Sequence, residues 1–293
     1  MNKIIIFGFL ILVFGLILIH FPFLWEPLNL KINVFDLNKS SDYGGYLSGY
    51  VGSFLLLLNI LLLLYIHYEQ AKSEFEKQFY TFLDIHRSNV ERIRYLGFTS
   101  TEAIEKIVEF YDNILNEFIK NGWKNNPFEQ KLNEAYFVIF YGYNERAFQI
   151  VNKNYNKNSS DYYSRITNII FHTKGAEKVE YNEQMELPGL EKYLSTYFRH
   201  LFQIVRFIDE SDKLTNKQKF IFSRILRAQL TNHEQALLLI NSLGIIGKEW
   251  KYKNYLVKYQ LVKNIPKGFF QSFDHELYFS GIRWEYLDYS NGV

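Results

Sequence analysis

The chain has 293 residues, a formal net charge of +2 and no cysteine. Without cysteine there are no disulfides, no thiolate catalysis and no Cys-ligated zinc, and a near-neutral balance supplies no whole-molecule field for nucleic acid. The length suits one or two domains, and the 18% aromatic share, mostly Tyr and Phe, suits thick helix packing.

Two apolar runs open the chain. Ile4 to Ile19 is unbroken apolar or Gly, and Phe21 to Trp25 extends it through Pro22 to about 20 residues, enough to cross a bilayer. The run lacks a small-residue cleavage site, so it reads as a span rather than a signal peptide, with Trp25 as an interfacial anchor. The second run is Tyr46 to about His67, and Asn59 is the one strongly polar residue in its core, Phe54 to Ile66. Together they predict a transmembrane hairpin over residues 1–67, with spans at about 4–25 and 46–67. Gly45, Gly49 and Ser53 form one small-residue track and Gly44, Ser48 and Gly52 a second, each permitting close approach of helix backbones. Either the first span or another subunit fills these tracks, and Asn59 offers a hydrogen bond across the same interface. Lys3 precedes the first span, Lys31 and Lys39 lie in the loop, and Lys72, Lys77 and Arg87 follow the second span. This bias places both termini of a multi-pass protein in the cytoplasm.

Roughly 220 residues remain beyond the hairpin, enough for a core. Phe75, Phe79, Phe82 (or Leu83), His86 and Val90 recur at helical spacing, which predicts an amphipathic stalk helix over 68–97 with one face to bury. Residues 98–293 then read as a helical cytoplasmic domain, making the chain all-α. Thr99 to Glu102, Thr215 to Gln218 and Thr231 to Glu234 are capping boxes. Asn126-Pro127 is an N-cap followed by Pro at the first helical position. The β candidates are Val179 to Met185 and Leu277 to Trp284, while Asn152 to Asp161 and Thr173 to Pro188 read as polar connections.

The densest polar constellation is Tyr197 to Arg206. Arg199 and Arg206 are seven apart and share a helix side, and Arg224 and Arg227 pair at i, i+3 on the next helix. Four arginines on two consecutive helices suit an anion pocket for phosphate or a nucleotide. The alternative is a structural network with Asp209, Glu210, Asp212 or Glu234. His200 beside Arg199 has the form of a general base, against the plainer reading of a helix histidine satisfied by a neighbour. Glu234 reads as a cap. Arg227 with His233, and Arg165 with His172, fit the loose Arg-x4-6-His pattern of HEPN-type ribonucleases, but chance alone yields roughly 0.7 such matches in a chain of this composition. No Walker loop, GxSxG, HExxH or GxGxxG occurs, and the scattered His86, His172, His233 and His275 argue no metal site. The reading therefore includes no cofactor and no metal.

These pieces resemble the phage abortive infection proteins of the AbiC-like type. The resemblance is carried by the Asp42-Tyr43-Gly44-Gly45 opening of the second span, although the family's early Pro is missing there. The stalk Glu74-Phe75-Glu76-Lys77-Gln78-Phe79-Tyr80-Thr81-Phe82-Leu83-Asp84-Ile85-His86 is similar to the family's, with Tyr80 in place of its second Phe. Most specific is Tyr197-Phe198-Arg199-His200-Leu201 with Arg224 to Thr231 and Glu234, and Lys251 to Tyr259 follows. The resemblance implies antiviral defence in which an infected cell is arrested before phage matures, with a phage-derived trigger or a neighbouring defence component such as a retron as partner. It also implies that the membrane is the bacterial inner membrane, and it implies no settled catalytic mechanism.

Three functions follow. The first is a non-enzymatic membrane effector that homo-oligomerises through spans and stalk and impairs the bilayer. The second is a membrane-tethered HEPN-like RNase or nucleotide-handling enzyme using Arg199, His200, Arg227 and His233. The third is a passive scaffold for a separate toxin.

Overall fold

The computed structural model describes residues 52–120, 127–143 and 187–290, with positions 8, 11, 14, 15, 45, 48, 49 and 149 besides. Several expectations fall outside these residues: most of the first span, the loop lysines 31 and 39, Gly44, the Asn126 cap, the strand at 179–185, the polar stretch 152–161, and the Arg165/His172 pair. The described residues are mostly helical. The chain divides into two compact units, Met1–Phe75 and Glu76–Val293.

Helix α1 runs Gly52–Glu91. Its Leu-rich first half holds no Pro and no Gly beyond Gly52, so nothing interrupts the backbone ladder. Among the described residues it is the one helix long and apolar enough to cross a membrane, with mean hydropathy 1.6 over its most apolar window and none of that window buried. Leu55, Leu56, Leu57, Leu62, Leu63 and Leu64 are all exposed, an apolar surface of the kind that marks a membrane or protein interface. One helix of this kind is coarser than the two-span hairpin expected. Within the same unit, a Cβ added at Gly15 would lie 2.4 Å from the Phe54 ring. Gly15, which pattern reading passed over, is therefore where a side chain would have to displace the Phe54 ring. At Gly45 and Gly49 an added Cβ meets nothing within 4 Å, and Ser48, Gly52, Ser53 and Asn59 are exposed. The described members of the small-residue tracks, Gly45, Ser48, Gly49, Gly52 and Ser53, are exposed.

In the second unit the end of α1 buries Phe79, Leu83, His86 and Val90, the face anticipated from spacing, with Leu83 rather than Phe82 at the ambiguous position. The helix stops at Glu91, short of the expected residue 97. A two-residue hairpin follows, β1 (Arg94–Tyr95) pairing antiparallel with β2 (Phe98–Thr99). Gly97 at φ +84° sits in its turn, a conformation that glycine adopts without strain.

Helix α2 (Ser100–Lys120) buries one stripe, including Ile104, Ile107, Val108, Tyr111, Ile114 and Leu115. It packs against α3 (Phe128–Tyr141) and α6 (Asn232–Leu243). In α3 the Pro127 carbonyl accepts from the Gln130 and Lys131 N–H groups, and Pro127 itself is the N-cap. The helix thus starts one residue later than expected, with Pro outside its first turn. Strands β3 (Gly142–Tyr143) and β4 (Leu187–Pro188) pair antiparallel. A side chain at Gly189 would lie 2.3 Å from the Tyr141 backbone.

Then come α4 (Glu191–Asp209) and α5 (Asn216–Gln229), packed together. Short helices α7 (Lys248–Tyr252) and α8 (Tyr255–Tyr259) follow α6. A 3-10 turn (His275–Tyr278) and α9 (Glu285–Ser290) close the described chain. The tail Leu277 to Trp284 is not a strand. Its Phe279, Ile282 and Trp284 are buried, but its alternation serves packing without any ladder, and the Glu285 N–H returns instead to the Lys263 carbonyl.

Helix α6 is buried from Glu234 to Ser242, so it is enclosed on all sides and its polar groups must be satisfied internally. Asn241 donates to the Tyr136 hydroxyl at 2.8 Å, and the Ser242 hydroxyl to the Leu239 carbonyl at 2.7 Å. Asn133 of α3 accepts the Ile245 N–H at 2.6 Å, closing the turn beyond α6.

Candidate functional site

Two polar regions meet at the N-terminus of α6. Thr231 caps the helix: its hydroxyl accepts the Glu234 N–H at 3.1 Å, while Glu234 Oε2 accepts the Thr231 N–H at 2.9 Å. The same box recurs at Thr215 and Gln218. Both were legible in sequence.

The cap leaves Glu234 Oε1 facing inward. His86 Nε2 of α1 lies 3.4 Å from it, with the two side chains only 2% and 3% exposed. The Tyr197 hydroxyl of α4 donates to the same oxygen at 3.4 Å, and the His86 and Tyr197 rings lie 5.2 Å apart. Burial, with the Glu234 charge and hydrogen bond added, pushes the Tyr197 hydroxyl well above its usual range, so it stays a donor. Around this centre, Arg87 donates to Gln229 at 2.6 Å, and His200 Nε2 meets the Phe82 carbonyl at 2.9 Å. One buried carboxylate thus ties together α1, α4 and α6. A lone buried carboxylate is costly, and here the cap and the Tyr197 hydroxyl satisfy it, with the His86 ring packed beside them without a hydrogen bond of its own.

A second node sits at the C-terminal end of α4. Asp209 accepts from Lys258 and from the Tyr259 hydroxyl, and its carbonyl accepts Lys219 at 2.6 Å. Burial raises the Asp209 carboxyl, but the Lys258 and Tyr259 hydrogen bonds and the Lys258 and Lys219 charges outweigh it, leaving it below the usual carboxylate range.

The other side of the α6 N-terminus opens onto a cleft of about 510 Å³ lined by Arg224, Arg227, Asn232, Gln235, Asn264 and Glu285 among others. Arg227 Nη1 donates to the Gln260 carbonyl at 2.9 Å. Burial draws its guanidinium below the ordinary value, Glu285 opposes that, and Arg224 adds to it. Asn264 donates to Glu285, and Gln235 Oε1 accepts the Asn264 N–H at 3.0 Å.

The four arginines are therefore divided. Arg224 and Arg227 line this cleft; Arg199 and Arg206 do not. Both are exposed on α4, and Arg206 pairs with Glu210 at 2.9 Å. His200 is held by a backbone carbonyl. His233 lines a different cavity of about 350 Å³ with Val108, Asp112 and Phe269, its ring 5.1 Å from that of Phe269. Arg227 and His233 thus belong to separate cavities. Among the described residues no three His, Asp or Glu side chains gather as a metal site. Sequence reasoning missed the His86–Glu234–Tyr197 centre: each residue was noticed, but nothing local joins positions so far apart.

The fold and its centres define a class: a mainly helical domain following a membrane-length apolar helix, with motif residues spent on tying helices together. Residues 189–270 match the model of the family described as "Putative phage abortive infection protein". The match spans the Tyr197, Arg224–Glu234 and Lys251–Tyr259 motifs, a little over a quarter of the chain, and supports the AbiC-like resemblance. No curated protein and no solved structure matches the chain.

Proposed function

We propose that the protein is a membrane-anchored anti-phage effector: its cytoplasmic domain senses infection, and its apolar segments then assemble and impair the inner membrane. The observation that carries this is the exposed apolar half of α1 in a chain whose residues 189–270 match an abortive infection family. The open small-residue tracks at Gly45, Gly49 and Gly52 are surfaces for a second copy of the chain. In this reading both termini are cytoplasmic and a phage-derived or neighbouring component is the trigger. The junction at Glu234 holds α1 against α4 and α6 until then.

The test follows membrane potential with a voltage-sensitive dye in single infected cells, with RNA integrity sampled in parallel. Depolarisation before RNA loss is expected, abolished by Gly49→Leu with Gly52→Leu at unchanged protein level. RNA cleavage with the potential intact overturns the reading in favour of a tethered nuclease. The separate placement of Arg227 and His233 weighs against that alternative. Protection that needs a neighbouring toxin gene would mark a scaffold instead.

A further inference from the structure

The Arg224/Arg227 cleft has an unbalanced supply of donors. Arg224 is exposed and makes no hydrogen bond or ion pair among the described residues. Arg227 is half-buried and spends one N–H on the Gln260 carbonyl. The nearest carboxylate, Glu285, accepts from Asn264 rather than from either guanidinium. Two guanidiniums one turn apart, facing a cavity and bonded to no acid, suit the oxygens of a phosphate.

Size and the rest of the lining narrow the ligand. At about 510 Å³ the cleft is far larger than a bare phosphate and within the ~300–1,000 Å³ usual for small-molecule sites. Glu285 and Asn264 line the same cleft as the arginines, together with Pro266 and Tyr286. A carboxylate there repels a ligand that is anionic throughout and rewards one that brings hydrogen-bond donors. The geometry points to a binding site for a small phosphate-bearing molecule that also carries hydroxyl or amine donors, the chemistry shared by a mononucleotide and by a glycerol-type phospholipid headgroup. This stands on the cleft alone and does not rest on the membrane reading. Its position gives it reach: Gln235, on its wall, is the residue next to Glu234 in the buried junction.

The full chain in phosphatidylcholine nanodiscs, whose headgroup has no donor, is titrated calorimetrically with AMP and with pyrophosphate. AMP is expected to bind one to one, and Arg224→Glu to weaken it by about tenfold or more with unchanged melting temperature. Pyrophosphate, which lacks the donors, is expected to bind more weakly than AMP and to gain in Glu285→Gln. In a second arm, discs containing phosphatidylglycerol are compared by hydrogen exchange over residues 224–232 and 264–266. Protection there that Arg224→Glu removes, with no AMP binding, assigns the phosphate to lipid and supports the shared chemistry. No binding in either arm, or binding untouched by Arg224→Glu, overturns the proposal. Pyrophosphate binding as tightly as AMP overturns its donor half.

Discussion

Glu234 and Gln235 are neighbours in the chain and serve two polar regions of opposite character. Glu234 looks into a centre where the carboxylate, His86 and Tyr197 are each nearly excluded from water. Gln235 lines an open cleft where, among the described residues, Arg224 makes no hydrogen bond or ion pair. In the closed centre the charge is resolved by the protein itself, so the centre orders helices and has no use for a ligand. In the open cleft charge is left over, and water or a ligand must complete it. Burial and pairing, rather than residue type, separate a joint from a binding site.

The comparison breaks first at Glu234. Glu234→Ala removes the carboxylate from buried His86 and Tyr197 and half of the capping box, and is expected to cost ~3–5 kcal/mol in chemical denaturation. Glu234→Gln keeps the box geometry and should cost clearly less. Thr231→Ala should cost about 1–2 kcal/mol, and more than Thr215→Ala, because its cap also orients Glu234. Tyr197→Phe loses one long hydrogen bond and should cost about 1 kcal/mol by the same assay.

The pH dependence follows from two depressed groups. Burial holds the His275 ring below the usual imidazole range, against the nearby Asp274 and Glu276 charges, and Asp209 lies below the usual carboxylate range. A group whose pKa is lower in the folded state contributes stability above its unfolded value and loses it as pH falls through its folded value. Stability should therefore start to decline below the ordinary imidazole range and decline again below the ordinary carboxylate range. His275→Gln should flatten the first limb and Asp209→Asn the second, read from denaturation midpoints across pH. Smallest is Arg224→Ala, expected within about 0.5 kcal/mol of wild type. A large loss there would show that the cleft is a second joint, and the contrast would collapse.

What was legible in the sequence was local. The boxes at Thr215 and Thr231 span four residues each and were read completely. The buried face of α1 followed from its period, apart from the position shared by Phe82 and Leu83, where the structure buries Leu83. The tail from Leu277 to Trp284 misled because alternation reports which side chains are buried, not whether a partner strand exists. The division of the four arginines was invisible because helical phase relates residues on one helix and says nothing of where the next helix lies. Gly15 was passed over for a related reason: two tracks of small residues advertise close approach, yet the approach occurs where one ring meets one glycine.

Glu234 spends its two oxygens on different tasks, Oε2 on the first turn of α6 and Oε1 on α1 and α4. Swinging the carboxylate away from His86 also uncaps the helix, so the joint has no cheap half-open state. An exposed contact flickers with every thermal fluctuation, whereas these buried ones are shared among three helices and give way only together. In the effector reading proposed above, such cooperativity protects a healthy cell against accidental firing.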